Sequence, residues 1–255
     1  MENAFGQPQN VVVLGGSSDI ARAITKKLCA ARAHTVILAG RNQGLLDEAA
    51  REALDYGASK TDTVVFDAED LASAETTVAR AFTKAGDHVD LVIMAVGQLG
   101  NQRRDESDVA AATRLMNVNF TWPVAALTEA RRRLVAQGSG RIVVLSSVGA
   151  VRVRGSAYLY GGAKAGLDRL CEGMADSLIG TGVNLQIVRP GAVRTKMTEG
   201  LAEVPFTTGV NEVAENVIKG LASGDRVIWS PPVLRYLFAI LRHLPAPLWR
   251  KVMDR

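Results

Sequence analysis

Tyr160-Gly161-Gly162-Ala163-Lys164 sets a phenol and an ammonium four residues apart, and on a helix residues so spaced share one face. A free tyrosine ionises near about pH 10, and a neighbouring ammonium favours the phenolate and brings that value down. The pair can therefore pass a proton to or from an alcohol oxygen. Thirteen and fourteen residues earlier stand Ser147 and Ser146, at the end of an apolar run. A hydroxyl there can hydrogen-bond a carbonyl and help hold the alkoxide that forms from it. The spacing alone is a weak signal, because Tyr56-Gly57-Ala58-Ser59-Lys60 repeats it. Tyr56, however, meets a glycine at an apparent helix end and has no serine-bearing strand before it, so it reads as a surface residue.

The elements that must position these groups are short β-branched runs alternating with helical patterns, the sequence form of repeated βα units. Seven strands are expected: Val11 to Leu14, Thr35 to Ala39, Thr63 to Phe66, Leu91 to Val96, Arg141 to Ser146, Asn184 to Val188 and Arg226 to Trp229. Ile20, Ile24 and Leu28 recur at helical spacing directly after the first. The expected fold is α/β, a Rossmann-like doubly wound parallel sheet whose ligands gather at the carboxyl ends of the strands. The first βα turn, Leu14-Gly15-Gly16-Ser17-Ser18-Asp19-Ile20-Ala21, offers close backbone approach and open helix-start amides to a pyrophosphate, or is a plain structural turn. After the second strand comes Arg41 and no acid. Arginine there suits the 2′-phosphate of NADP, or is simply solvated at a helix start. Asp67, past the third strand, can meet an adenine ring or cap the next helix.

Composition narrows the class. At 255 residues, with 47% hydrophobic and 22% charged, the chain suits one globular domain, residues 1–232 with a basic apolar tail at 233–255. Cys29 and Cys171 lack metal or CxxC spacing, and His34, His88 and His243 are too scattered for a metal site. No leader-like run opens the chain, and no apolar stretch approaches the roughly 20 residues of a membrane span. In the tail, Arg235, Arg242, Arg250, Lys251 and Arg255 face only Asp254, so these residues carry a charge equal to the whole chain's +4. A charge so confined argues against nucleic acid as a partner. Leu234, Leu237, Phe238, Leu241 and Leu244 are expected to form one apolar helical face that meets a membrane surface.

Gly15 to Ala21, Asp67, Asn119, Ser147, Tyr160, Lys164 and Pro190-Gly191-Ala192-Val193-Arg194-Thr195, in that order, resemble the short-chain dehydrogenase/reductase family from end to end. The resemblance implies a carbonyl reductase using NADH or NADPH. It selects Ser147 over Ser146, gives Asn119 a water of the proton relay, and lets Lys164 also bind the nicotinamide ribose. Gly15, Ser17, Ser18, Asp19, Ile20, Ala95, Gly97, Pro190, Gly191, Val193 and Thr195 would line the cofactor, Thr195 at the carboxamide. Asp19 and Ala21 replace two fingerprint glycines, and Met94-Ala95-Val96-Gly97 replaces the usual Asn-Asn-Ala-Gly. A carboxylate beside a pyrophosphate is unfavourable, so Asp19 is expected to point away or cap the helix.

Within the family, the altered turn, Ala95-Val96-Gly97, Arg152-Val153-Arg154 and the stretch from Leu234 to Pro245 resemble the actinobacterial decaprenylphosphoryl-2-keto-ribose reductases. That likeness implies reduction of a lipid-linked 2-keto pentose to decaprenylphosphoryl-arabinose for cell-wall arabinan. It also implies a flavin-dependent oxidase as partner and a cytoplasmic place on the inner face of the membrane. Arg152 and Arg154 would then pair with the phosphodiester, and a homo-oligomer is compatible. That group is described with NADH, against the reading of Arg41, so the cofactor's phosphate stays open. The alternatives are a reductase of another ketone, 3-oxoacyl or steroid-like, and a cofactor-binding regulator without turnover.

Overall fold

The computed structural model describes residues 6–253, with the side chains of 252 and 253 excepted, so Asp254 and Arg255 of the expected tail lie outside the described residues. The chain runs β1 (Asn10–Leu14), α1 (Asp19–Ala30), β2 (Thr35–Gly40), α2 (Gln43–Asp55), β3 (Lys60–Val65), α3 (Ser73–Lys84) and β4 (Leu91–Met94). It continues through α4 (Gln102–Asp105), α5 (Val109–Met116), α6 (Trp122–Gln137), β5 (Gly140–Leu145), α7 (Tyr158–Ser177), β6 (Val183–Pro190), β7 (Val193–Arg194) and β8 (Thr208–Gly209). Last come α8 (Val210–Ser223), β9 (Val227–Ser230), α9 (Leu234–Leu241) and α10 (Ala246–Met253).

Seven strands form one sheet in the order β3-β2-β1-β4-β5-β6-β9, every pair parallel. Strand residues alternate between faces, so Val12, Leu14, Ile37 and Val144 join α3, α6 and α7 in one apolar layer. Val11, Val13, Leu38 and Val143 join α1, α2 and α8 in the other. Each layer holds one free, buried thiol, Cys171 in the first and Cys29 in the second.

Six of the seven expected strands match to within two residues. β3 begins three residues earlier than expected, at Lys60 rather than Thr63. It is an edge strand whose start is polar, so hydrophobic patterning overlooks it, yet the Ser59 and Lys60 amides both donate to the His34 carbonyl at 2.9 Å and start the ladder. The tail is two helices rather than one. α9 ends at Leu241, and Pro245, which has no amide to donate, precedes α10.

Sequence order reverses between β1 and β4, and at that point a crevice opens outside their carboxyl ends. A π-helical turn at Asn117–Thr121 joins α5 to α6, with the Trp122 amide donating to the Asn117 carbonyl. Such turns insert a residue into a helix and often mark functional sites. This one sits at Asn119.

Candidate active site

The turn after β1 is built for close approach. Gly15 has a φ of +93°, and a Cβ there would lie 2.6 Å from the Ala95 carbonyl carbon. A Cβ on Gly16 would lie 2.9 Å from that of Leu38. Both amides donate to the Ala39 carbonyl at 2.8 Å, which fixes the turn and leaves the start of α1 pointing into the crevice. Ser18 is the N-cap, its hydroxyl accepting from the Ala21 amide. Helix-start amides in a glycine cradle are a donor set that fits a dinucleotide pyrophosphate. Ser17 and Ile20 are half-buried here, and Ile20 packs against the apolar layer.

Asp19 does not cap α1, a position Ser18 holds. Its carboxylate accepts from the Lys196 amide at 2.7 Å, 177 residues along the chain. The substitution for glycine thus straps the turn after β1 to the segment after β7, next to Thr195. Thr195 starts a short 3-10 turn with a reciprocal capping box to Thr198. Arg41 is exposed, and no carboxylate pairs with it among the described residues. Asp67 is exposed and accepts from the Glu69 amide at 3.0 Å, shaping the loop before α3 without capping that helix. Pro190 and Val193 are buried beside a half-buried Gly191 at the end of β6.

On the other side of the crevice, α7 carries Tyr160 and Lys164 on one face. Burial pushes the Tyr160 phenol above its ordinary value, while a hydrogen bond with the Ser147 hydroxyl draws it back. Ser147 also accepts from the Gly149 amide at 3.0 Å. Lys164 is 4% exposed, its Nζ donating to the Leu145 carbonyl at 2.9 Å, and burial lowers it to about 8. Ser146 points elsewhere, donating at 2.6 Å to Asp168, which explains why only Ser147 faces Tyr160. Asn119 is fully buried. Its Nδ2 donates to the Gln98 and Leu115 carbonyls at 2.9 Å, and its Oδ1 accepts from the Gln98 amide at 3.1 Å. A Cβ on Gly97 would meet Asn119 Oδ1 at 2.9 Å and Lys164 Nζ at 3.3 Å. Ala95 and Gly97 therefore line the crevice between the glycine turn and the lysine. Tyr56 is exposed on the far side of the sheet, at the end of α2 with Lys26 over its ring.

One supporting group escaped the sequence reading. Asp168 takes both forks of Arg189, at 2.6 and 3.0 Å, in addition to Ser146. It stands four residues beyond Lys164 and eight beyond Tyr160, so its place on the same helix face was legible; its buried partner on β6 was not.

The two arginines after the serine part company. Arg152 donates to the Leu241 and Arg242 carbonyls at 2.9 and 3.0 Å and lies 4.6 Å over the Trp249 ring. Its guanidinium closes the end of α9, a correction to the expectation that it awaits a phosphodiester. Arg154 is exposed at the rim. The expected membrane face is corrected as well. Leu234, Phe238 and Leu241 are buried, with Leu237 and Leu244 packed beside them, against Val148, Val151 and Trp229 of the domain. What the tail exposes is Val233, Tyr236, Ile240 and Leu248. Met197, Leu201, Val204 and Phe206, in the segment between β7 and β8, are exposed too. No helix among the described residues is long and apolar enough to cross a membrane.

The pattern of the short chain dehydrogenases matches residues 9–204. An uncharacterized oxidoreductase of Mycobacterium tuberculosis is 39% identical over 242 residues, 95% of this chain and 96% of that one. Another, from Streptomyces coelicolor, is 40% identical over 252 residues, 99% of each. Among solved structures, a Burkholderia cenocepacia short chain dehydrogenase in complex with NADP superposes with a TM-score of 0.78 at 18% identity, covering 95% of this chain and 96% of that one. Levodione reductase does so with a TM-score of 0.77 at 24% identity, covering 86% and 94%.

Proposed function

Because the chain belongs to the short chain dehydrogenase family, we propose that it reduces a ketone to a secondary alcohol with NADH or NADPH. The observation that carries this reading is the grouping of Ser147, at the end of β5, with Tyr160 and Lys164 on one face of α7, the serine drawing down the phenol and the ammonium buried and donating to the Leu145 carbonyl. The nicotinamide cofactor, when bound, supplies the hydride. The Ser147 hydroxyl donates to the carbonyl oxygen, and the Tyr160 phenol gives its proton to that oxygen as it becomes an alkoxide. Lys164 stabilises the phenolate left behind. Asn119 holds Gln98, and with it the wall that Gly97 belongs to. Gly15, Gly16, Ser17 and Ser18 would hold the pyrophosphate, Asp67 the adenine side, and Ala95, Gly97 and Thr195 the nicotinamide side. Arg41 would take a 2′-phosphate if the cofactor is NADPH.

The finer reading is that the ketone is the 2-keto pentose of a polyprenyl phosphodiester, the substrate class of the reductases this sequence resembles. Exposed Met197, Leu201, Val204 and Phe206 suit a lipid chain rather than water. Arg154 is free to meet the phosphodiester. Arg235, Arg242, Arg250 and Lys251, with Tyr236 and Ile240 exposed between them, suit an anionic membrane surface at about 1 kcal/mol for each basic residue. A flavin-dependent oxidase that makes the keto sugar is the implied partner.

The test is cofactor oxidation by the purified enzyme with a polyprenyl-phosphate 2-keto pentose, a 3-oxoacyl thioester and a steroid ketone, each with NADH and NADPH. Preferred turnover of the keto sugar lipid supports the finer reading. Equal or better turnover of a soluble ketone overturns it and leaves the reductase; no turnover of any ketone overturns both.

A further inference from the structure

A cavity separate from the catalytic crevice is a groove of about 460 Å³ along β9, the strand at the end of the sheet, between α7 and α9. None of Asn119, Ser147, Tyr160 or Lys164 lines it. Its floor is Trp229 and Phe238, ring centres 6.3 Å apart, with Val151 and Val227 beside them. On α9, positions 235, 238, 239 and 242 share one face, so Arg235 and Arg242 flank the aromatic floor from one side.

The charges around the groove fall into two sets. Arg169 pairs with Glu172, Arg226 with Asp176, and Arg189 with Asp168 and Glu172, all within 2.8 Å. These pairs neutralise the wall nearer α7. Asp225, the remaining acid of the lining, accepts from the Ser223 hydroxyl at 2.7 Å. The Arg235 guanidinium has no hydrogen-bond or ion-pair partner among the described residues, and that of Arg242 donates only to the ring of His243. Two exposed guanidiniums on one helix face, over an apolar aromatic floor, form an incomplete site. A planar fork suits the tetrahedral oxygens of a phosphate. The floor suits hydrocarbon, and the volume falls within the ~300–1,000 Å³ of small-molecule pockets, well beyond what a bare anion fills.

We propose that this groove is a second binding site, for a phosphate carried on an apolar chain, with Arg235 and Arg242 on the head and Trp229 and Phe238 under the first carbons. The site is independent of the ketone that the crevice reduces. Its ligand is either a soluble phosphorylated amphiphile or the headgroup region of an anionic lipid surface, and one experiment separates the two.

The probes are inorganic phosphate and geranyl phosphate by titration calorimetry, and phosphatidylglycerol vesicles by sedimentation, all with the full-length protein saturated with NAD⁺ so that the glycine cradle is filled. Geranyl phosphate should bind at least about tenfold more tightly than phosphate, from the apolar area it buries. The exposed double substitution Arg235→Gln/Arg242→Gln should weaken it at least about tenfold, with the unfolding midpoint and NAD⁺ affinity unchanged. Trp229→Leu should narrow the gap between the two probes. Vesicle binding that the double variant loses assigns a lipid headgroup; geranyl phosphate binding without vesicle binding assigns a soluble amphiphile. No binding of geranyl phosphate at low salt, or equal binding by the double variant, overturns the site. Vesicle binding without geranyl phosphate binding does the same, since a diffuse basic surface accounts for it.

Discussion

The floor of the crevice and its rim are made on opposite terms. On the floor, formed by the end of β5, the middle of α7, the π-helical turn and β6, Asn119, Ser146, Lys164, Asp168 and Arg189 are all buried, and each donates or accepts inside the protein. At the rim, the segment after β7 and the outer sides of α9 and α10 leave apolar side chains exposed and basic ones largely unpaired. Buried polar groups that are satisfied fix one geometry, which is what proton transfer requires. Exposed apolar and basic groups fix nothing until something binds, which is what recognition of a large amphiphile requires. The proposed chemistry sits where the fold is rigid, and the proposed choice of substrate sits where it is not.

The comparison breaks first at Tyr160. Tyr160→Phe should cost roughly 10²–10⁴-fold in turnover, the scale of a lost general acid, with cofactor affinity held, while Tyr56→Phe should be silent. Near-normal turnover in the first variant would remove the phenol from the reaction. Next is Asp168→Asn, which takes the buried carboxylate from Arg189 and leaves Glu172 as its charge partner. Denaturant unfolding should show a loss of about 1.5–3 kcal/mol, the scale of hydrogen bonds to a charged group; less than about 1 kcal/mol would mean that the floor does not depend on this pair.

The third test is pH. Burial lowers Lys164 to about 8, so it is charged below that pH and neutral above it. Reductive kcat/KM should therefore fall as pH rises through about 8, by up to about tenfold per unit where the ammonium is required. A profile level to well above that value would exclude Lys164 as the group that titrates. The smallest effect belongs to the rim. Arg152→Ala should speed hydrogen exchange in α9 and α10 several-fold while leaving kcat nearly unchanged. Arg154→Ala should raise only KM for a lipid phosphate. An Arg152 variant that lost kcat but kept tail protection would transfer this residue from the rim to the floor.

The same division governs how much the sequence revealed. The sheet and the shared helix face of Tyr160 and Lys164 were legible because they follow local period and spacing, whereas the choice of Ser147 over Ser146 came from the family resemblance. The partner of Asp19 was not legible because Lys196 is remote in sequence, and no local pattern marks a bond between a carboxylate and a distant amide. The tail was misread for a related reason. The apolar stripe of Leu234, Phe238 and Leu241 was correctly seen as amphipathic, but amphipathicity does not say what covers the stripe, and here the domain itself does. Arg152 was assigned by its chemistry and by the family likeness, and its place over Trp249 depends on a tertiary contact.

The two thiols give this molecule a pair of internal clocks. Cys29 and Cys171 are each shut into a different apolar layer, and burial pushes them up to about 11 and about 12, so neither is nucleophilic while the fold is closed. The rate at which each thiol is alkylated therefore counts openings of its own layer. Cys171 lies on the helix that bears Tyr160 and Lys164, and Cys29 on the helix that starts at the glycine turn. Labelling kinetics of the unaltered chain can thus time the breathing of the proton-transfer half and of the nucleotide half separately, with no dye or mutation introduced.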